Sequence, residues 1–129
     1  AEVWSNLSIM EKAVTAKQLE TGPNVPITFG DLDVSFTDKN GNPATGNWFD
    51  TENFSYELTI DSNGQYHARG GIAYDKWKDD EEKYVFLTLV GGKKNCSGGN
   101  SNNTGCQKYF GLTKSGGTGC ISGNTCFTE

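Results

Sequence analysis

The sequence is poor in arginine and histidine, with one of each among 129 residues, and it has only three prolines and one methionine. Lys+Arg total 11 against Asp+Glu 16, for a net charge of −5. That balance gives no basic patch for gripping a phosphate backbone, so no nucleic acid partner is expected. One imidazole, His67, is all that a Ser-His-Asp or Cys-His site has to draw on. It lies in the alternating stretch Gln65-Tyr66-His67-Ala68-Arg69, where Tyr66 and Ala68 facing a core would turn it to solvent. No nucleophile elbow surrounds it, so no catalytic residue and no enzyme activity are expected. No run approaches the roughly 18 apolar residues that cross a bilayer. A membrane is therefore expected to meet this chain only through a segment outside the sequence.

The four cysteines, Cys96, Cys106, Cys120 and Cys126, all fall in the last third, among Gly, Ser, Asn and Thr. They contain no C-x-x-C pair of the kind that holds zinc or runs redox chemistry. An even count in such a setting reads as disulfides, and hence as an extracytoplasmic compartment. Four cysteines allow three pairings and the sequence does not decide among them. Short loops close most readily, which favours Cys96 with Cys106 and Cys120 with Cys126.

One domain is expected over 1–129. At its start, Val3, Leu7, Met10 and Val14 recur at spacings of four, three and four, one face of an amphipathic helix over 1–22. Gly22-Pro23 ends it. Residues 23–53 read as a loop with one short strand, from Leu32, Val34 and Phe36 at period two. Residues 54–92 read as an antiparallel sheet. Phe54, Tyr56, Leu58 and Ile60 alternate with polar residues, Asp61-Ser62-Asn63-Gly64 turns, and Tyr66 and Ala68 return, which predicts a hairpin. Tyr84 to Val90 then forms a buried central strand closed by Gly91-Gly92. Residues 93–129 are a Gly- and Asn-rich tail, with a helical turn at Cys106–Phe110, that depends on its cystines for order. The sum is an α+β domain: a long N-terminal helix packed on three or four antiparallel strands, with a disulfide-stapled C-terminal region.

Other chemistry is sparse. The carboxylate pairs Asp31/Asp33 and Asp50/Glu52 and the run Asp79–Glu82 read as charged loops rather than as a glycosidase acid and base. The stretch Asp38-Lys39-Asn40-Gly41-Asn42 opens like a calcium loop. Pro43 stands where an EF-hand needs Gly, however, and Phe49 where it needs Glu, so no cofactor is expected and calcium is the only metal to weigh. Four tripeptides, beginning at Asn6, Asn53, Asn95 and Asn102, match the N-glycan acceptor pattern. Trp4 belongs to the helix face. Trp48 and Trp77 lie in loop-like text and are the candidates for an exposed contact surface.

Taken together, the helix AEVWSNLSIMEKAVTAKQLETG, the following PITFGDLDVSF, the hairpin FSYELTIDSNGQYHA and the cysteine-bearing CSGGNSNNTGCQKYFGLTKSGGTGC resemble the globular domain of a bacterial type IV pilin or a related pseudopilin. The resemblance covers nearly the whole chain as a layout. It implies a structural subunit of an extracellular or cell-surface filament, facing the periplasm before assembly. Such a subunit polymerises through an apolar helix N-terminal to this domain and is handled by a dedicated assembly and secretion apparatus. The cystines lean toward a pilus; a calcium requirement would lean toward a secretion pseudopilin. The competing expectation is a secreted carbohydrate- or surface-binding module acting through Trp48, Trp77 and the tail.

Overall fold

The computed structural model describes residues 2–100, 102–114 and 126–128. Helix α1, Glu2–Thr21, buries Val3, Trp4, Leu7, Met10 and Val14, the stripe expected from the 3.6-residue period. Burial of each large side chain contributes about 1.5–3 kcal/mol. Gly22 takes φ +79° and donates its amide to the Gln18 carbonyl at 2.9 Å, closing the helix. Polar contacts fix the helix along the sheet: Asn6 Nδ2 donates to the Tyr56 hydroxyl at 2.9 Å, Gln18 Nε2 to the Gly64 carbonyl at 3.0 Å, and the Gly92 amide to the Glu11 carboxylate at 3.2 Å. Gly70 makes the close approach feasible. A Cβ there would stand 2.8 Å from the Tyr56 ring and 3.1 Å from Val3.

Under α1 lies an antiparallel meander in the order β1-β2-β3-β4-β5: Trp48–Asp50, Phe54–Ile60, Tyr66–Ile72, Val85–Val90 and Lys93–Gly98. The architecture is the expected α+β one, with five strands in the main sheet rather than three or four. The hairpin β2–β3 forms as read from the sequence, Ile60 pairing with Tyr66 across the Asp61–Gln65 turn. Strand β4 is interior to the sheet, between β3 and β5. It buries Val85, Leu87 and Leu89 toward the helix, while Phe86 and Thr88 are only half-buried on the other face.

Both additional strands come from stretches read as loop or tail. Strand β1 pairs Trp48 with Glu57 and Asp50 with Ser55, and β5 follows β4 across the Gly91-Gly92 turn with Leu87 opposite Cys96. Conversely, Leu32, Val34 and Phe36 form no strand; the segment holds only an isolated bridge, Thr37 with Pro43. Its apolar residues serve an aromatic cluster instead. Phe29 meets Phe36 and Phe49 edge-on at 5.6 and 4.9 Å, and Phe49 stacks on Tyr56 at 5.1 Å. The Asp-Leu turn that launches this loop is closed by Asp31, whose carboxylate accepts the Thr28 amide at 2.8 Å and hydroxyl at 3.1 Å. Those two bonds hold the Asp31 carboxyl below its ordinary range.

The tail is also more than a stapled loop. Helix α3, Gly105–Phe110, carries Cys106 onto Cys96 of β5, and the two form a disulfide with Cα atoms 6.0 Å apart. Both cysteines are fully buried, and Leu112 and Phe127 join the same core. A short pair, β6 Thr113–Lys114 and β7 Phe127–Thr128, runs antiparallel beside it. Cys126 is disulfide-bonded as well, and Cys120 lies outside the described residues.

Candidate functional site

The strand register decides what stands on the face of the sheet away from α1. Trp48, Glu57, Arg69, Thr88 and Asn95 are successive cross-strand partners from β1 to β5, and Asp50, Ser55, Gly71, Phe86 and Ser97 form the next row. This face contains the only arginine of the chain. Arg69 Nη1 lies 3.3 Å from Glu57 Oε1, and its guanidinium lies over the Phe86 ring at 4.0 Å, an ion pair and a cation–π contact on one planar group.

Short helix α2, Tyr74–Trp77, brings the second tryptophan to the same face. It is tied to the sheet by the Tyr74 amide, which donates to Ser55 Oγ at 2.9 Å. Ser55 in turn donates to Asp50 Oδ1, the oxygen that also accepts the Trp48 indole N–H at 2.9 Å. The Trp77 ring is gripped by Tyr74, edge-on at 4.9 Å, and by Tyr84 at 4.3 Å, and Tyr84 reaches Phe86 at 5.5 Å. Trp48, Tyr74 and Tyr84 are exposed, yet each is held by a hydrogen bond or a ring contact. An open depression results, walled by Trp48 on one side and by Trp77 and Tyr84 on the other, with Ser55, Glu57 and Arg69 in its floor. The two tryptophans named from the sequence as contact candidates therefore share one site. The polar floor was not foreseen. Its signal was present in the alternation, since Glu57 and Arg69 occupy the phase opposite Tyr56, Leu58 and Ala68.

The other sequence candidates are placed elsewhere. His67 stands on the same face at the far end of β3, its Nε2 2.9 Å from Asp61 Oδ2. That contact, with the amides of Gln65 and Asn63, holds the Asp61 carboxyl below its ordinary range, so the pair braces the hairpin turn. In the loop weighed for calcium, Asp38 Oδ1 accepts the amides of Asn40 at 2.9 Å and Asn42 at 3.0 Å, an Asx turn, and Lys39 pairs with Asp75 at 2.7 Å. Within the run Asp79–Glu82, Asp80 caps the Glu82 amide and Glu82 pairs with Lys108 at 2.9 Å. Among the described residues no group of three or more His, Cys, Asp or Glu converges on a metal position. Among them, too, no helix is long and apolar enough to cross a membrane. The helix face Val3, Leu7, Met10 and Val14 lies in the core, as expected.

Site and fold together define a class: a helix laid along a five-stranded antiparallel meander, cystine-tied at its C-terminal side, with an aromatic depression on the open face. No family model, no curated protein and no solved structure matches the chain.

Proposed function

We propose that the chain is the globular domain of a structural subunit in an extracellular, type IV pilus-like filament. The observation that carries this reading is the layer arrangement: α1 lies lengthwise along β3 and β4 of an antiparallel meander, and the C-terminal segment is tied back to the sheet edge by Cys96–Cys106. That is the arrangement the pilin resemblance implies. Cystine-tied segments also suit a domain that works outside the cytoplasm. In this reading the core of the filament is built by an apolar helix preceding α1, and the domain forms the outer wall. The subunit performs no catalysis, and its partners are further copies of itself and the assembly and secretion machinery.

The test is the natural reading frame upstream of codon 1. A short basic leader followed by about 25 mostly apolar residues in helical phase with α1 would support a membrane-stored, polymerising subunit. An ordinary secretory signal ending at Ala1 would overturn it and leave a free secreted domain.

A further inference from the structure

The depression between Trp48 and Trp77 is not isolated. Trp48 also walls a second recess, on the side of Asn40 and Thr45. Trp77 and Tyr84 wall a third, on the side of Gly98 and Asn100. Neighbouring recesses share aromatic walls, Trp48 between the first and second and Trp77 with Tyr84 between the first and third. Aromatic rings spaced in this way suit an elongated ligand lying across the surface, with repeating units that each set a flat face against a ring. Their linings set its charge. The middle floor is internally neutral, Glu57 against Arg69. Asp38, Asp50 and Lys39 line the second recess, and Glu81 and Glu82 the third. Both end recesses are thus net acidic, the second less so than the third, and they disfavour an anionic ligand.

We propose that this face binds a linear, uncharged oligosaccharide. A pyranose ring presents an apolar C–H face, which suits the electron-rich face of an indole, and a rim of hydroxyls that need both donors and acceptors. Glu57 supplies acceptors, and a guanidinium with five N–H donors serves its carboxylate and a hydroxyl together. The rings are already fixed, Trp48 by Asp50 and Trp77 between Tyr74 and Tyr84, so little conformational entropy is lost on binding. The inference does not depend on the filament reading, since it concerns only the face away from α1.

The test is a titration of the oxidised 129-residue chain with cello-, xylo-, manno-, malto- and chito-oligosaccharides from one to six units, read by tryptophan fluorescence and calorimetry. At least one series is expected to saturate with Kd below about 1 mM, with affinity rising with chain length. Raising NaCl should leave that affinity within about twofold, as for an uncharged ligand. Trp48→Ala and Trp77→Ala should each weaken binding at least about tenfold, with an unchanged far-UV spectrum. If Trp77→Ala fails to fold, the exposed Trp48 decides the matter through Trp48→Ala. Absence of saturation by every series, binding undiminished in Trp48→Ala, or affinity independent of chain length would each overturn the proposal.

Discussion

Two leucines on one helix give the sharpest test of the packing described above. Leu7 is 0% exposed and Leu19 is 85% exposed, so the same substitution at both sites separates burial from helix propensity. Leu7→Ala removes three carbons. At about 0.8 kcal/mol per buried CH₂ the lost transfer free energy is about 2.4 kcal/mol. The void left between α1 and the sheet adds to this, and about 24 cal/mol per Å³ over roughly 25–50 Å³ of unrelaxed space is another ~0.6–1.2 kcal/mol. The expected destabilisation is therefore about 3.0–3.6 kcal/mol. Leu19→Ala should fall within about 0.5 kcal/mol of the parent. Equilibrium urea unfolding followed by tryptophan fluorescence, without reductant, measures both from the shift in midpoint at constant slope. A Leu7→Ala loss below about 1 kcal/mol, or equal losses at the two sites, would refute the placement of α1 on the sheet.

Replacing Cys96 and Cys106 together by Ser opens a loop with a sequence separation of 10; chain entropy alone predicts a loss of about 2.7 kcal/mol, and an unchanged urea midpoint would contradict a native cross-link. Gly70→Ala should cost about 1–3 kcal/mol by overpacking against Tyr56 and Val3, which thermal melting would show as a drop of several degrees; a neutral result would mean that the helix is not seated there. Asp61 has a lowered pKa in the folded chain, relative to an ordinary value of 3.8. Its contribution is thus present above the unfolded value and lost as pH falls through the lower folded one. Asp61→Asn should accordingly flatten the acid limb of a stability–pH curve below about pH 4, and a curve parallel to the parent's would exclude the His67–Asp61 brace.

What was legible in the sequence, and what was not, follows from how many residues carry each signal. Helix α1 repeats its stripe over five buried positions, and β2 alternates over Tyr56–Thr59 and β3 over Tyr66–Gly70, so all three elements stand out. Strand β1 has three residues, too few to display a period. Strand β5, Lys-Lys-Asn-Cys-Ser-Gly, buries a cysteine and an asparagine, residue types that read as polar tail when burial is judged by hydrophobicity. The false strand at Leu32–Phe36 shows the converse. Three apolar residues at period two also satisfy a bending loop that sends Phe36 against Phe29 and Phe49. The order of the tail is hard to read from sequence because its core residues, Cys106, Leu112 and Phe127, are spread among glycines and meet only through long-range pairing. Trp48 and Trp77 could be named individually from the sequence. Their meeting could not, since it depends on the β1–β2 register and on the Tyr74–Ser55 bond that docks α2.

The same register explains why the two faces of the sheet are open to independent tests. Successive side chains in a strand point to opposite sides, so Tyr56, Leu58, Ala68 and Leu87 are committed to the helix, while Glu57, Arg69 and Phe86 are excluded from it. The helix–sheet core needs the first set to keep its volume, because α1 packs on it at interior density. It places no such demand on the second set. Yet the second set is not the plain polar surface that solubility alone would produce. Its arginine is shared between a carboxylate and a ring, and the ring series from Tyr74 to Phe86 is continuous. Holding large rings at an exposed surface forgoes hydrophobic stabilisation that burial would have provided. The proposed oligosaccharide site would account for that arrangement, on the face of the sheet where substitutions such as Trp48→Ala leave the helix–sheet core intact.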